Sequence, residues 1–214
     1  MGWLRDLLLG KDDDPPPSYG AAQEVPDPID WVDLEDRLVE LSVDAISHFA
    51  ESHKSESFYG LAFDCDSGEG QVLLCLNTRI AQAKAAVPVE GPFLEIQLAM
   101  TEAERLASAE WGLGDWKYQG FNIRAKAWKL GWRPCQAKVA ESIGMLTLNS
   151  RHKQANEVRE SFMQATCRAL RRVADSERIG ALRRDPDFSI LSVDHDESPD
   201  AGRARLSSVL AGAS

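Results

Sequence analysis

The sequence predicts an α+β fold, an antiparallel sheet with two long helices packed over it. Three stretches carry that expectation. Residues 58–78, FYGLAFDCDSGEGQVLLCLNT, form the clearest hairpin signal: runs of strand composition at 58–63 and 72–76 flank a compact turn from Asp64 to Gly70. Two long amphipathic patterns, at 33–50 and 156–174, each carry an apolar stripe that needs such a surface to cover.

Taken in order, residues 1–25 read as an acidic, proline-containing arm. Trp3, Leu4, Leu7 and Leu8 share one side of a possible short helix, and KDDDPPPS after it reads as a solvated linker, because consecutive prolines stop a helix. The first ten residues lack the apolar core and small-residue cleavage site of a signal peptide, and Asp6 stands where an acylation signal wants Ser or Thr. A cytoplasmic location is the expectation, and no apolar run approaches the roughly 18 residues a membrane span takes.

A single domain is expected over 26–197. Asp30 or Asp33 can cap a first helix whose Leu34, Leu38, Leu41, Ala45 and Phe49 recur at intervals of three and four. In the first strand, alternation puts Tyr59, Leu61 and Phe63 on one face and Phe58, Gly60 and Ala62 on the other. Neither face is charged, so both should be covered, and Gly60 leaves a gap where a neighbour can approach. Asp64, Asp66 and Glu69 suit a turn; the remaining ligands of a calcium loop are missing.

Asn77 and Thr78 end the second strand and cap a short helix that stops at Pro88. Residues 93–100 are ambiguous between strand and helix, and Thr101 with Glu104 reads as a capping box. The sheet is expected to extend through 93–98 or 118–124 and through 188–193. A helix is expected from Pro134, a break near 149–153, and a tail over 198–214 that is flexible or docked as a short helix.

Charge is unevenly spread. The chain carries a formal net charge of −10, with 17 acidic and 4 basic residues in 1–70 but 9 basic and 4 acidic in 151–184. That composition argues against non-specific nucleic-acid binding, which needs many phosphate contacts, and favours a basic protein partner. Arg124, Lys126, Trp128, Lys129, Trp132 and Arg133 interleave cations with rings, yet Trp128 and Trp132 also have the spacing of one packed helix face.

Reaction chemistry is sparse. The chain has no glycine-rich phosphate cradle, no HExxH and no GxSxG, and Cys65, Cys75, Cys135 and Cys167 are too widely spaced to suggest zinc or a redox dithiol. No cofactor or metal is expected. The string Asp194-His195-Asp196-Glu197 at a strand end keeps an alternative open, a small hydrolase or metal-dependent enzyme using His195 and nearby carboxylates.

With 58–78, WGLGDWKY at 111–118, the long second helix and DFSILSVDHDE at 187–197, the chain resembles the bacterial domain-of-unknown-function family numbered 4303 over about residues 30–197. Members of such families are often encoded in toxin and immunity neighbourhoods. The resemblance therefore implies an immunity protein or another non-catalytic binding module that captures a basic toxin domain, with no catalytic residues to carry over. An acidic face would serve such a role, since complementary charge speeds encounter and selects partners. The candidate partner-binding residues are Trp31, Asp33, Glu35, Asp36, Glu40, Asp64, Asp66, Glu69 and Trp116. Strand order and oligomeric state are left open.

Overall fold

The computed structural model describes residues 27–212, so the predicted N-terminal arm lies outside the described residues. Helix α1 (Trp31–Ser52) starts where Asp30 accepts hydrogen bonds from the amides of Val32 and Asp33 at 3.0 Å. It buries Leu34, Leu38, Leu41, Ile46 and Phe49 along one stripe. Strands β1 (Phe58–Asp66) and β2 (Gln71–Asn77) form the hairpin, with Leu61 opposite Leu76. Thr78 then caps α2 (Arg79–Ala85), and Thr101 with Glu104 forms the capping box of α4 (Glu102–Glu110).

The sheet corrects the expected architecture. The final strand β3 (Arg184–Asp194) lies beside β1 and runs parallel to it, giving a three-stranded mixed sheet in the order β2-β1-β3. Among the described residues seven α-helices pack around it, three of them long: α1, α5 (Lys126–Leu148) and α6 (His152–Asp175). Of the expected sheet extensions, 188–193 forms within β3, whereas 93–98 and 118–124 do not. Residues Leu94–Ala99 are helix α3, Phe121–Arg124 is a 3₁₀ turn, and only Tyr118 bridges to Leu76.

Strand β1 is buried on both faces, but its alternation is interrupted. The pairing with β3 shifts register between Phe58 and Gly60, which puts Phe58 and Tyr59 on the faces opposite to those that simple alternation assigns. Phe58 packs on Phe49 and Tyr118, in the main core with Leu61 and Phe63 beneath α1, α5 and α6. Tyr59 meets Trp111 and Trp116, and a smaller core forms there with Ala62, Cys75, Leu191 and Val193. The gap at Gly60 is filled by Trp116: a Cβ at Gly60 would stand 2.9 Å from its ring.

Helix α5 begins eight residues before the predicted start at Pro134, and that proline sits inside it. Pro134 is exposed, so the Leu130 carbonyl that it leaves without a helical donor can meet water. Trp132 on the inner face donates Nε1–H to the Gly70 carbonyl at 3.1 Å and ties the hairpin turn to α5. Gly70 has φ +62°, and a Cβ there would lie 2.9 Å from Val139. After β3, helix α7 (Pro199–Ala211), capped by Ser198, packs against β3 and α6.

Candidate functional site

Asp33, Asp36, Glu40 and Asp44 recur at helical spacing and are exposed on α1. The basic residues of α6 lie alongside rather than on a far surface. Glu35, the least exposed of the α1 carboxylates in these pairs, accepts from Arg168 Nε at 2.8 Å and Arg172 Nη1 at 3.0 Å. Asp36 pairs with Arg172 at 2.7 Å, Glu40 with Arg37 at 3.0 Å, and Asp44 with Arg178. The fold thus brings the acidic residues of α1 and the basic residues of α6 together. Yet Asp36 and Glu40 each keep 58% of their side-chain surface in water and Asp44 keeps 49%, so these oxygens remain open to an incoming cation.

The acidic turn is a separate place. Asp66 Oδ1 accepts from the amides of Gly68 at 3.0 Å and Glu69 at 3.1 Å, which accounts for Asp66 as turn chemistry. Asp194 at the end of β3 accepts from the Ser67 amide and hydroxyl. Gly68 lies near Arg159, whereas the α1 carboxylates meet Arg168 and Arg172, about 14–20 Å further along α6 at 1.5 Å per residue. The structure therefore does not join the turn and the α1 line into one surface.

The two proposed aromatic anchors also part. Trp31 is partly buried against the main core. Trp116 is 2% exposed and donates Nε1–H to the Glu110 carbonyl at 3.0 Å, so its ring is committed to the smaller core.

His195 does meet a carboxylate. Its Nδ1 lies 3.5 Å from Asp64 Oδ1, with the imidazole largely exposed and the carboxylate mostly enclosed. Burial pushes the Asp64 carboxyl above the usual carboxylate range, and His195 partly offsets the push. Glu197 is turned away into an ion pair with Arg205. Among the described residues no three His, Cys, Asp or Glu side chains stand close enough to hold a metal ion.

The polar hub of the fold was not foreseen in the sequence. Tyr59 donates its hydroxyl to the Glu110 carbonyl at 2.7 Å and accepts from Asn77 Nδ2 at 3.0 Å. Burial pushes its phenol up to about 12. The Arg79 guanidinium lies 4.1 Å over the ring and pairs with Glu110 at 3.1 Å and with Asp187. Asn77 Oδ1 accepts from the amides of Thr78 and Lys117. The Asn-Thr pair at the strand end was the local signal for this hub; Glu110 and Asp187 come from distant chain.

A family model described as "Domain of unknown function (DUF4303)" matches residues 38–206. The chain belongs to this family. No curated protein and no solved structure matches it. The DUF4303 match runs from within α1 to within α7 and so spans all three strands, the Tyr59 hub and the Asp64–His195 pair. Trp31, Asp33, Glu35 and Asp36 precede it, while Glu40, Asp64, Asp66, Glu69 and Trp116 fall inside. Among the described residues no helix is long and apolar enough to cross a membrane.

Proposed function

We propose that the chain is a non-catalytic binding module, an immunity protein that captures and neutralises a basic toxin domain through its acidic face. The carrying observation is the exposed line of carboxylates on α1, Asp33, Asp36, Glu40 and Asp44; the ion pairs of the last three leave much of their surface in water. Exposed pairs of this kind are worth little individually, so exchanging an internal guanidinium for a partner's costs little. Glu35 acts differently: its two arginine contacts tie α1 to α6.

Co-expression with the product of an adjacent reading frame tests this. A complex on gel filtration and protection of growth are expected, both lost when Asp33, Asp36 and Glu40 are changed to Lys with the fold intact. A wild-type chain that neither binds nor protects, or a triple variant that does both undiminished, overturns the proposal.

The Asp64–His195 contact favours a second reading, a small hydrolase in which His195 serves as base and the carboxylate orients it. That reading requires an activity in a broad substrate screen that His195→Ala abolishes.

A further inference from the structure

Six of the ten large apolar side chains that stand exposed among the described residues fall within 80–98: Ile80, Val87, Val89, Phe93, Ile96 and Leu98, each between 58% and 85% exposed. So many exposed apolar side chains close together in the chain mark a contact surface more often than scattered single residues do. The backbone of this strip is fixed by polar braces rather than by a core. Arg105 donates Nε–H to the Ala86 carbonyl at 2.9 Å and Nη1–H to those of Gln97 and Met100, while the Val89 amide donates to Gln97 Oε1 at 3.0 Å. Helix α3 accordingly buries none of its residues. Exposed Glu90, Glu95 and Glu102 rim the strip without an ion pair among the described residues.

The complement of that surface is on the chain itself. A groove of about 550 Å³ between β2 and the start of α5 is lined by Lys126, Lys129 and Arg133 with the apolar Ile123 and Leu130. All five side chains are exposed, and none of the three cations has an acidic partner among the described residues. Trp128 and Trp132 floor the groove but are buried, 5% and 1% exposed, so their faces are closed to stacking bases.

We propose that the chain associates head to tail with further copies of itself, the acidic apolar strip of one copy seating in the basic groove of the next. The two surfaces differ, so the contact is heterologous and builds a ring where the rotation closes and a filament where it does not. Unpaired carboxylates meet unpaired cations at the rim, and Phe93 and Ile96, three apart at α3, meet Ile123 and Leu130 at the centre, the division usual in protein contacts. This assembly is independent of the immunity reading.

Sedimentation velocity on the purified full chain, from micromolar to millimolar, tests it. Mass should rise with concentration. Reversing the strip (Glu95→Lys with Glu102→Lys) or the groove (Lys129→Glu with Arg133→Glu) should weaken association about tenfold or more, because like charges then face each other. An equimolar mixture of the two variants should recover wild-type behaviour, since each altered surface then meets its altered complement. Phe93→Ser with Ile96→Ser gives the apolar arm and should abolish assembly, with circular dichroism reporting that the fold is kept. A wild type that stays monomeric throughout, or reversed variants whose mixture fails to reassociate, overturns the proposal; a dimer indifferent to all three variants does so as well.

Discussion

Helix α7 rests on β3 through a glycine, and that contact makes a sharp prediction. A Cβ added at Gly202 would stand 2.7 Å from the Ser192 carbonyl oxygen and 3.1 Å from both Leu191 Cδ1 and Val193 Cβ. The nearest obstacle is backbone in a paired strand, so it cannot swing aside. Gly202→Ala gains about 1 kcal/mol of helix propensity. Overpacking of this kind costs about 1–3 kcal/mol. The cost has a ceiling, since α7 can lift away at the expense of the burial of Leu206, about 1.5–3 kcal/mol for a side chain of that size. Because the nearest obstacle is a backbone oxygen at 2.7 Å, the cost falls in the upper part of that range, about 2–3 kcal/mol, and subtracting the propensity gain leaves a net loss of about 1–2 kcal/mol.

Gly144→Ala supplies the contrast. That residue is exposed within α5, and a Cβ there meets nothing within 4 Å. Here only propensity acts, and a gain of about 0.5–1 kcal/mol is expected. Urea denaturation with thermal melts reads both, each kcal/mol moving Tm by about 2–4 °C in a chain of this size. A Gly202→Ala protein as stable as wild type would refute the reasoning, as would equal losses at the two sites.

Three further outcomes follow from the packing. Glu35→Gln should cost about 1–2 kcal/mol in urea denaturation, the lower part of the range for charged hydrogen bonds because both arginines are partly solvated; an unchanged midpoint would remove Glu35 as the tie between α1 and α6. Asp64 has its folded pKa raised by burial, so the stability it contributes is present below the ordinary carboxylate value and lost as pH rises through the folded value. Asp64→Asn should therefore raise Tm at neutral pH and change it little in acid, and a destabilised variant at neutral pH would count against that sign. Burial raises all four thiols, Cys75 to about 12 and Cys167 to about 11, and only Cys135 is half-buried rather than enclosed. A thiol reagent should modify Cys135 first in the native protein, and full labelling of Cys65, Cys75 or Cys167 before unfolding would contradict the packing.

What the sequence made legible was local. The Asp30 cap, the Thr101–Glu104 box and the gap at Gly60 are written in a few neighbouring residues, and each forms as read. The hairpin forms too, but its turn is the shorter 67–70, because Asp64, Cys65 and Asp66 are paired in β1 with Leu73, Val72 and Gln71. The parallel pairing of β3 with β1 depends on contacts between residues such as Leu61 and Ile190, which no local pattern reports. Pro134 misled because a proline inside a helix is costly but not forbidden: it loses one hydrogen bond and crowds the carbonyl four residues back, and here both Pro134 and Leu130 are exposed, where that carbonyl can turn to water. The acidic residues of α1 were legible as a line, while the neutralising Arg168 and Arg172 of α6 and Arg178 of the 3₁₀ turn after it come alongside only through tertiary packing. Trp116 shows the same limit: a tryptophan in a glycine-rich loop reads equally as an anchor for a partner or as a plug for the chain's own sheet.

The position of β3 also governs how the molecule can be made. β1 finds one neighbour almost at once and its other neighbour only after residues 184–194 have left the ribosome. Until then an apolar strand bears an unfilled row of amides and carbonyls, the kind of border on which nascent chains stick to one another. Synthesis of DUF4303 chains built this way should therefore be sensitive to pauses between α1 and α6, and truncations before residue 184 should yield insoluble product rather than a smaller folded body.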